Sequence, residues 1–285
     1  MRIATTIDEV REQIAQWKAA GRTVGLVPTM GYLHEGHQSL MDAARQACDA
    51  VVVSVFVNPI QFGPNEDFDN YPRDLERDAE LCEAHGVDLV FHPSADEMYP
   101  AGFNTYVTAD ALAETLCGAS RPGHFRGVCT VVTKLFNIVQ PDLAFFGQKD
   151  AQQLAIVKGM VRDLNLPVRV VGCPIVREDD GLAKSSRNTY LSAAERQAAL
   201  VLSRAVAAGQ RAVEAGERDA HALKRLMLDI LESEPLARVD YLEVVDGLTM
   251  QPVERIGSAA LVALAVYIGS TRLIDNFIFE EPPCC

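Results

Sequence analysis

Two histidines three residues apart stand in the run Pro28-Thr29-Met30-Gly31-Tyr32-Leu33-His34-Glu35-Gly36-His37. The run follows a short apolar, β-branched segment, Val24-Gly25-Leu26-Val27, and opens a helical one. A strand–loop–helix of this kind aims backbone N–H groups and the positive end of the helix dipole at an anion, and phosphate suits both. On one helical turn His34 and His37 share a face, where both imidazoles can donate hydrogen bonds as charge builds on a displaced phosphate. Gly36 between them lets a nucleotide approach the backbone. Gly31-x-x-x-x-Gly36-His37 lacks the Lys and Ser/Thr of a P-loop, and His34-Glu35-x-His37 falls one residue short of zinc-protease spacing. A pair of surface histidines at a helix start is the plain structural alternative; the place at a strand end points to function.

Four further segments carry groups of the same kind. Lys184-Ser185-Ser186-Arg187-Asn188 sets two cations around two hydroxyls, as a flexible loop closing over a triphosphate would need. It is similar to the Lys-Met-Ser-Lys-Ser type of loop in adenylating synthetases, although a solvated linker has the same composition. In Phe146-Gly147-Gln148-Lys149-Asp150-Ala151-Gln152-Gln153, Gly147 permits a tight turn and Lys149 can neutralise phosphate. Asp150 at a helix start caps it or meets ribose hydroxyls or Mg²⁺, and Gln153 one turn on can read a carboxylate or hydroxyl. Asn58 and Gln61, in Val57-Asn58-Pro59-Ile60-Gln61-Phe62, suit a small polar substrate or simply a turn after a strand. For Arg121-Pro122-Gly123-His124-Phe125-Arg126-Gly127, ahead of an expected helix at 128–139, an anion site and a solvated loop stand even. Gly-x-Gly-x-x-Gly is absent, which argues against a dinucleotide-binding dehydrogenase.

These segments need elements to hold them. Apolar runs at 24–27, 51–57, 88–91, 143–146 and 168–171 predict strands, with amphipathic helices at 37–48 and 150–164 among them. The alternation predicts an α/β fold: a Rossmann-like parallel sheet with helices on both faces, binding ligands outside the carboxyl ends of its strands. Beyond residue 175, a helix opened by Ser192 and Glu195 through about 214, a helix at 219–232, and strands at 239–245, 260–267 and 272–279 predict a smaller C-terminal α+β domain. The expected domains are 1–176 and 177–285, joined through the polar stretch 177–191.

The composition, 48% hydrophobic and 23% charged over 285 residues, is that of an ordinary globular chain with a sizeable core. A net charge of −13 argues against nucleic-acid or anionic-membrane partners and requires any anion site to concentrate positive charge locally. With no apolar run of bilayer length and no signal-peptide anatomy near Asp8, Glu9 and Arg11, the expectation is a cytoplasmic protein. The seven cysteines include five in apolar segments, read as buried thiols, and the tail pair Cys284-Cys285.

Taken together, the segments resemble the pantothenate synthetase family of the His-x-Gly-His nucleotidyltransferase-like superfamily. The matching residues are Pro-Thr-Met-Gly-x-Leu-His-x-Gly-His at 28–37, Phe-Val-Asn-Pro-x-Gln-Phe at 56–62, Tyr-Pro-Arg at 71–73, Arg-Pro-Gly-His-Phe-Arg-Gly at 121–127, Phe-Gly-x-Lys-Asp-x-Gln-Gln at 146–153 and Ser-Ser-Arg-Asn at 185–188. The resemblance implies an AMP-forming ligase: ATP activates pantoate as pantoyl adenylate, and β-alanine then takes the acyl group to give pantothenate. It assigns the ATP contacts to Met30, Gly31, Tyr32, Leu33, His34, Glu35, Gly36, His37, Gly147, Gln148, Lys149, Asp150, Val176, Lys184, Ser185, Ser186 and Arg187. Catalysis falls to His34, His37 (the proton donor), Lys149, Ser185, Ser186 and Arg187. Pantoate and β-alanine fall to Gln61, Gln153 and Asn58. Mg²⁺ rides on the ATP phosphates with Asp150 within reach, and a homodimer is implied. Lys184 departs from the Met, Leu or Ala expected there. A nucleotidyltransferase acting on a small phosphate ester and a non-catalytic ATP sensor are the alternatives.

Overall fold

The computed structural model describes residues 1–64 and 66–281. Among them, nine strands form two sheets. The first is wholly parallel: β1 (Arg2–Ala4), β2 (Val24–Thr29), β3 (Ala50–Val55), β4 (Leu89–Phe91), β5 (Leu143–Gly147) and β6 (Arg169–Cys173), in the order β1-β4-β3-β2-β5-β6. Every residue of β3 is buried, which explains its unbroken apolar run: its neighbours cover it on both faces. Val51, Val53 and Val55 pack with Leu40, Met41 and Ala44 of the helix Glu35–Ala47 and with Cys82 of the helix Leu75–Ala84. The helices Ile7–Ala19 and His124–Val139 contact each other and β2. The sheet therefore carries helices on both faces, as expected. Strand order runs outward from β2 through β3 and β4 on one side and through β5 and β6 on the other. The switch point lies at the carboxyl ends of β2 and β5, where such sheets bind ligands.

The second sheet is antiparallel, β7 (Ala237–Asp246), β8 (Ala259–Ile268) and β9 (Thr271–Glu280), packed against the helices Leu200–Glu214 and Ala220–Glu232. The chain divides into two compact units. One comprises residues 1–109, 121–148 and 153–174; the other comprises 110–120, 149–152 and 175–285.

Three elements differ from expectation. β1 has no counterpart among the expected strands: it has three residues, two of them exposed, too short for a period to show. The helix expected from 192 to 214 is two, Ala193–Ala198 and Leu200–Glu214, although the Ser192–Glu195 capping box forms. The helix expected at 128–139 starts a turn earlier, at His124, behind Gly123 at φ 84°. Cys48, Cys82, Cys129 and Cys173 are buried, and burial pushes Cys82 to about 12 and Cys129 to about 11, so these thiols stay protonated. Cys117 is partly exposed, and the Cys284-Cys285 pair lies outside the described residues. Among the described residues, no helix is long and apolar enough to cross a membrane.

Candidate active site

The loop leaving β2 is bent by two successive left-handed residues, Gly31 at φ 84° and Tyr32 at φ 52°. A Cβ at Gly31 would stand 2.9 Å from Val55 Cγ1 and 3.0 Å from Asp78 Oδ2, so the turn requires glycine on both counts. Tyr32 has no such freedom and is held by Asp78. The N–H of Tyr32 donates to Asp78 Oδ2 and that of Leu33 to Oδ1, each at 2.7 Å. Asp78 is 1% exposed; burial pushes its carboxyl up, and the two N–H groups pull it partly back. No motif marked Asp78 in the sequence. Leu33 is fully buried, so its side chain belongs to the core.

His34 then caps the helix. Gly36 N–H donates to His34 Nδ1 at 3.1 Å, and His34 N–H donates to His37 Nδ1 at 3.2 Å. The two rings thus occupy the places of the Ser and Glu in an ordinary capping box. Each Nδ1 accepts, so in each neutral ring the proton sits on Nε2. The ring centroids lie 4.1 Å apart, which makes a pair of Nε2–H donors at a helix N-terminus, beside the exposed Glu35.

The loop after β3 supplies a second cluster, tied to the first. Gln61 Nε2 donates to Met30 Sδ at 3.1 Å, and Gln61 Oε1 accepts from Asn58 Nδ2 at 2.9 Å. Arg121 and His124, for which an anion site and a solvated loop stood even, grip this turn. Arg121 forks onto Glu66 at 2.6 Å and donates to His124 Nε2 at 3.0 Å. An Arg can only donate, so Nε2 accepts and His124 Nδ1–H donates to the Gln61 carbonyl at 2.9 Å. Burial works to raise Glu66, but the bonds and charge of Arg121 outweigh it and hold its carboxyl below the ordinary value. A Cβ on Gly127 would lie 2.4 Å from Ile60 O, so only glycine lets this helix seat the turn. Arg73 likewise serves its own turn, donating to Tyr71 O at 2.8 Å and Phe68 O at 2.9 Å.

At the end of β5, Gly147 has ordinary φ and open space where a Cβ would stand. The tight turn expected there is the 3-10 turn Gln148–Asp150 that follows. Gln153 is partly buried in the first turn of the helix Ala151–Asp163.

In the second unit, a hairpin leads into the Lys184–Asn188 segment. Lys184 N–H donates to Val176 O at 2.9 Å and Glu178 N–H to Leu182 O at 2.8 Å, around Gly181 at φ 93°. Ser185 caps the 3-10 turn Ser186–Tyr190 by accepting from Arg187 N–H, and Ser186 is buried. Asn188 donates to Glu178 at 2.9 Å, Arg196 to Glu178 at 2.7 Å, and Arg177 forks onto the buried Asp275 at 2.7 and 2.9 Å. The next residue, Asn276, donates to Lys149 O at 2.8 Å. Lys149, Ser185, Asn188 and Asp275 line one small cavity. Lys149 and the serine loop, far apart in sequence, are thereby together, with the exposed Asp150 next to Lys149.

A family model described as pantoate-beta-alanine ligase matches residues 2–278. The pantothenate synthetase of Heliobacterium modesticaldum is 60% identical over 280 residues, covering 98% of this chain and 100% of that one. That of Clostridium botulinum Type A is 56% identical with the same coverage. Among solved structures, pantothenate synthetase from Thermus thermophilus matches with TM-score 0.93 at 48% identity, over 97% of this chain and 99% of the other. Pantoate-beta-alanine ligase from Francisella tularensis, complexed with beta-gamma ATP and beta-alanine, matches with TM-score 0.80 at 33% identity over the full length of both.

Proposed function

Because the chain belongs to the pantoate–β-alanine ligase family, we propose that it works through a pantoyl adenylate formed at the histidine pair. The chain is an ATP-dependent ligase that joins pantoate to β-alanine by an amide bond. In the first step a pantoate carboxylate oxygen attacks the α-phosphorus of ATP, the bond from that phosphorus to the β-phosphate bridge breaks, and pyrophosphate leaves. In the second, the β-alanine amine attacks the acyl carbon, the bond to AMP breaks, and the amine gives up a proton. Neither step needs a covalent enzyme intermediate. Both need in-line placement and relief of charge on the leaving phosphate.

The observation that carries this reading is the reciprocal capping box, which makes both histidines Nε2–H donors at a helix mouth beside the sheet's switch point. His34 and His37 donate to the ATP phosphates, His37 toward the departing pyrophosphate. Met30, Gly31, Tyr32, Glu35 and Gly36 border the nucleotide. Leu33 contributes backbone, and its carbonyl is the group left after Asp78 takes the N–H. Gly147, Gln148, Lys149, Asp150 and Val176 join it. Lys184, Ser185, Ser186 and Arg187 add charge and hydroxyl donors from the C-terminal domain, residues 177–285, which acts as the lid. Gln61 and Gln153 hold pantoate, with Gln61 also placing β-alanine, and Asn58 belongs to this site through its bond to Gln61.

Among the described residues no group of three or more His, Cys, Asp or Glu stands ready for a metal, and Asp150 is a single exposed carboxylate. Mg²⁺ would ride on the ATP phosphates, where it would neutralise their charge, with the Asp150 carboxylate within reach. We further take the protein to be a cytoplasmic homodimer, without nucleic-acid or membrane partners. The test is to supply ATP and pantoate alone and measure pyrophosphate, then add β-alanine and measure AMP. Pyrophosphate before β-alanine is the expected result. ADP with inorganic phosphate, release driven by a phosphate ester instead of pantoate, or ATP binding without turnover would each overturn the reading.

A further inference from the structure

Asn58 is 1% exposed, and its amide is engaged at both ends. The Gly127 carbonyl can only accept, so it must face Nδ2, which donates to it at 3.2 Å. Nδ2 also donates to Gln61 Oε1 at 2.9 Å, and Oδ1 accepts from the Tyr99 hydroxyl at 2.7 Å. Burial pushes the Tyr99 phenol up, so it keeps the proton that it donates. The direction of each bond is thus set in turn, from a backbone carbonyl to Asn58 and from Asn58 to Gln61. Gln61, itself 8% exposed, has its carbonyl oxygen tied down, and its NH₂ is what remains, with Met30 Sδ taking one hydrogen at 3.1 Å.

We propose that Tyr99 and Asn58 lock the Gln61 amide so that it meets the substrate only as a hydrogen-bond donor, selecting an acid that turns a carboxylate or hydroxyl oxygen toward it. The inference deepens the assignment of Gln61 to pantoate and rests on it. Tyr99 and Asn58 act through Gln61 and are positioning residues. A free amide would rotate and present an acceptor half of the time. The lock removes that ambiguity before substrate arrives, and preorganisation of this kind enters affinity directly. A substrate ammonium at the same place would meet N–H against N–H, which is the basis of the selection.

Tyr99→Phe tests the lock with little change in packing, because the ring sits edge-on to Phe103 with centroids 4.9 Å apart and keeps that contact. The substitution leaves Asn58 Oδ1 buried without its donor. We expect kcat/KM for pantoate in pyrophosphate release to fall about tenfold, the effect of one buried acceptor left unmet, with KM for ATP unchanged. Gln61→Glu, nearly isosteric, puts an acceptor where the donor stood and should lose pantoate at least as fully as Gln61→Ala. A folded Tyr99→Phe enzyme with wild-type pantoate kinetics, an equal loss toward ATP and pantoate, or a Gln61→Glu enzyme that still takes pantoate normally would each overturn the inference. Gln61→Ala separates the two levels. If it loses pantoate while Tyr99→Phe does not, the lock alone fails. If it keeps wild-type pantoate kinetics, the pantoate assignment fails and the lock with it.

Discussion

Gly127→Ala looks harmless on helix propensity, since glycine to alanine inside a helix gains about 1 kcal/mol. Position 127 lies within the helix His124–Val139, yet the geometry points the other way. The new Cβ would stand 2.4 Å from Ile60 O, 2.6 Å from Gln61 Cα and 2.7 Å from Gln61 N, where ordinary contact begins at 3.4 Å. All three are backbone atoms, so no side chain can swing aside, and relief requires the 59–61 turn to retreat by about 1 Å. Overpacking of this kind costs about 1–3 kcal/mol, which roughly offsets or modestly exceeds the propensity gain. The protein should therefore fold with a small loss of stability, while Gln61 is carried off its mark. A displacement of about 1 Å in a positioning group costs on the order of 10²-fold in rate. The assay is pyrophosphate release with pantoate varied at saturating ATP, beside a thermal melt. We expect kcat/KM for pantoate to fall about 10²-fold with KM for ATP little changed. A folded variant with wild-type pantoate kinetics would refute the claim that this helix sets the position of Gln61.

The remaining expectations concern charge. His37→Ala and Lys149→Ala should each slow pyrophosphate release about 10²-fold, the usual effect of losing one transition-state donor; near-normal release in either would remove that residue from the phosphate site. Glu66 is held below its ordinary value of 4.5, so its stabilising contribution is complete above 4.5 and fades as pH falls through the lowered value. Melting temperature should accordingly decline with acid over that window, and Glu66→Gln should flatten part of the decline; an identical acid profile in the variant would show that the pair with Arg121 contributes nothing to it.

The fold was legible where periodicity had room to act. β3 has six buried residues in a row, and a strand buried on both faces reads as such from sequence alone. β1 has three residues, and its pairing with β4 is a long-range fact that no local pattern encodes. The same contrast governs the site. His34 and His37 were readable because they are neighbours in sequence and on one helical turn. Their role as each other's cap was not, because nothing in residue type says that an imidazole will do the work of Ser and Glu. Asn58 and Gln61 were readable as polar groups after a strand, but Tyr99, 41 residues on, has no signature linking it to them. Arg121 and His124 were ambiguous because composition counts charges and cannot see their partners. The structure gives Arg121 the partner Glu66 and His124 a backbone carbonyl.

The partner of Arg121 is acidic, as is the chain as a whole. A net charge of −13 raised the question of how such a chain could gather phosphate. Several of its carboxylates face inward and orient donors that lie nearby in the fold. In one unit, Asp78 takes the two N–H groups that shape the histidine loop, and Glu66 fixes Arg121 behind the Gln61 turn. In the other, Glu178 and Asp275 hold Asn188, Arg196 and Arg177 around the serine hairpin. An exposed carboxylate near a phosphate site would repel its ligand, whereas a carboxylate whose oxygens are taken up by arginine or backbone N–H donors fixes the geometry of those donors. Whole-chain charge therefore says little about which anions this protein binds. What decides it is where the loops shaped by these carboxylates set the donors, the histidine loop held by Asp78 among them.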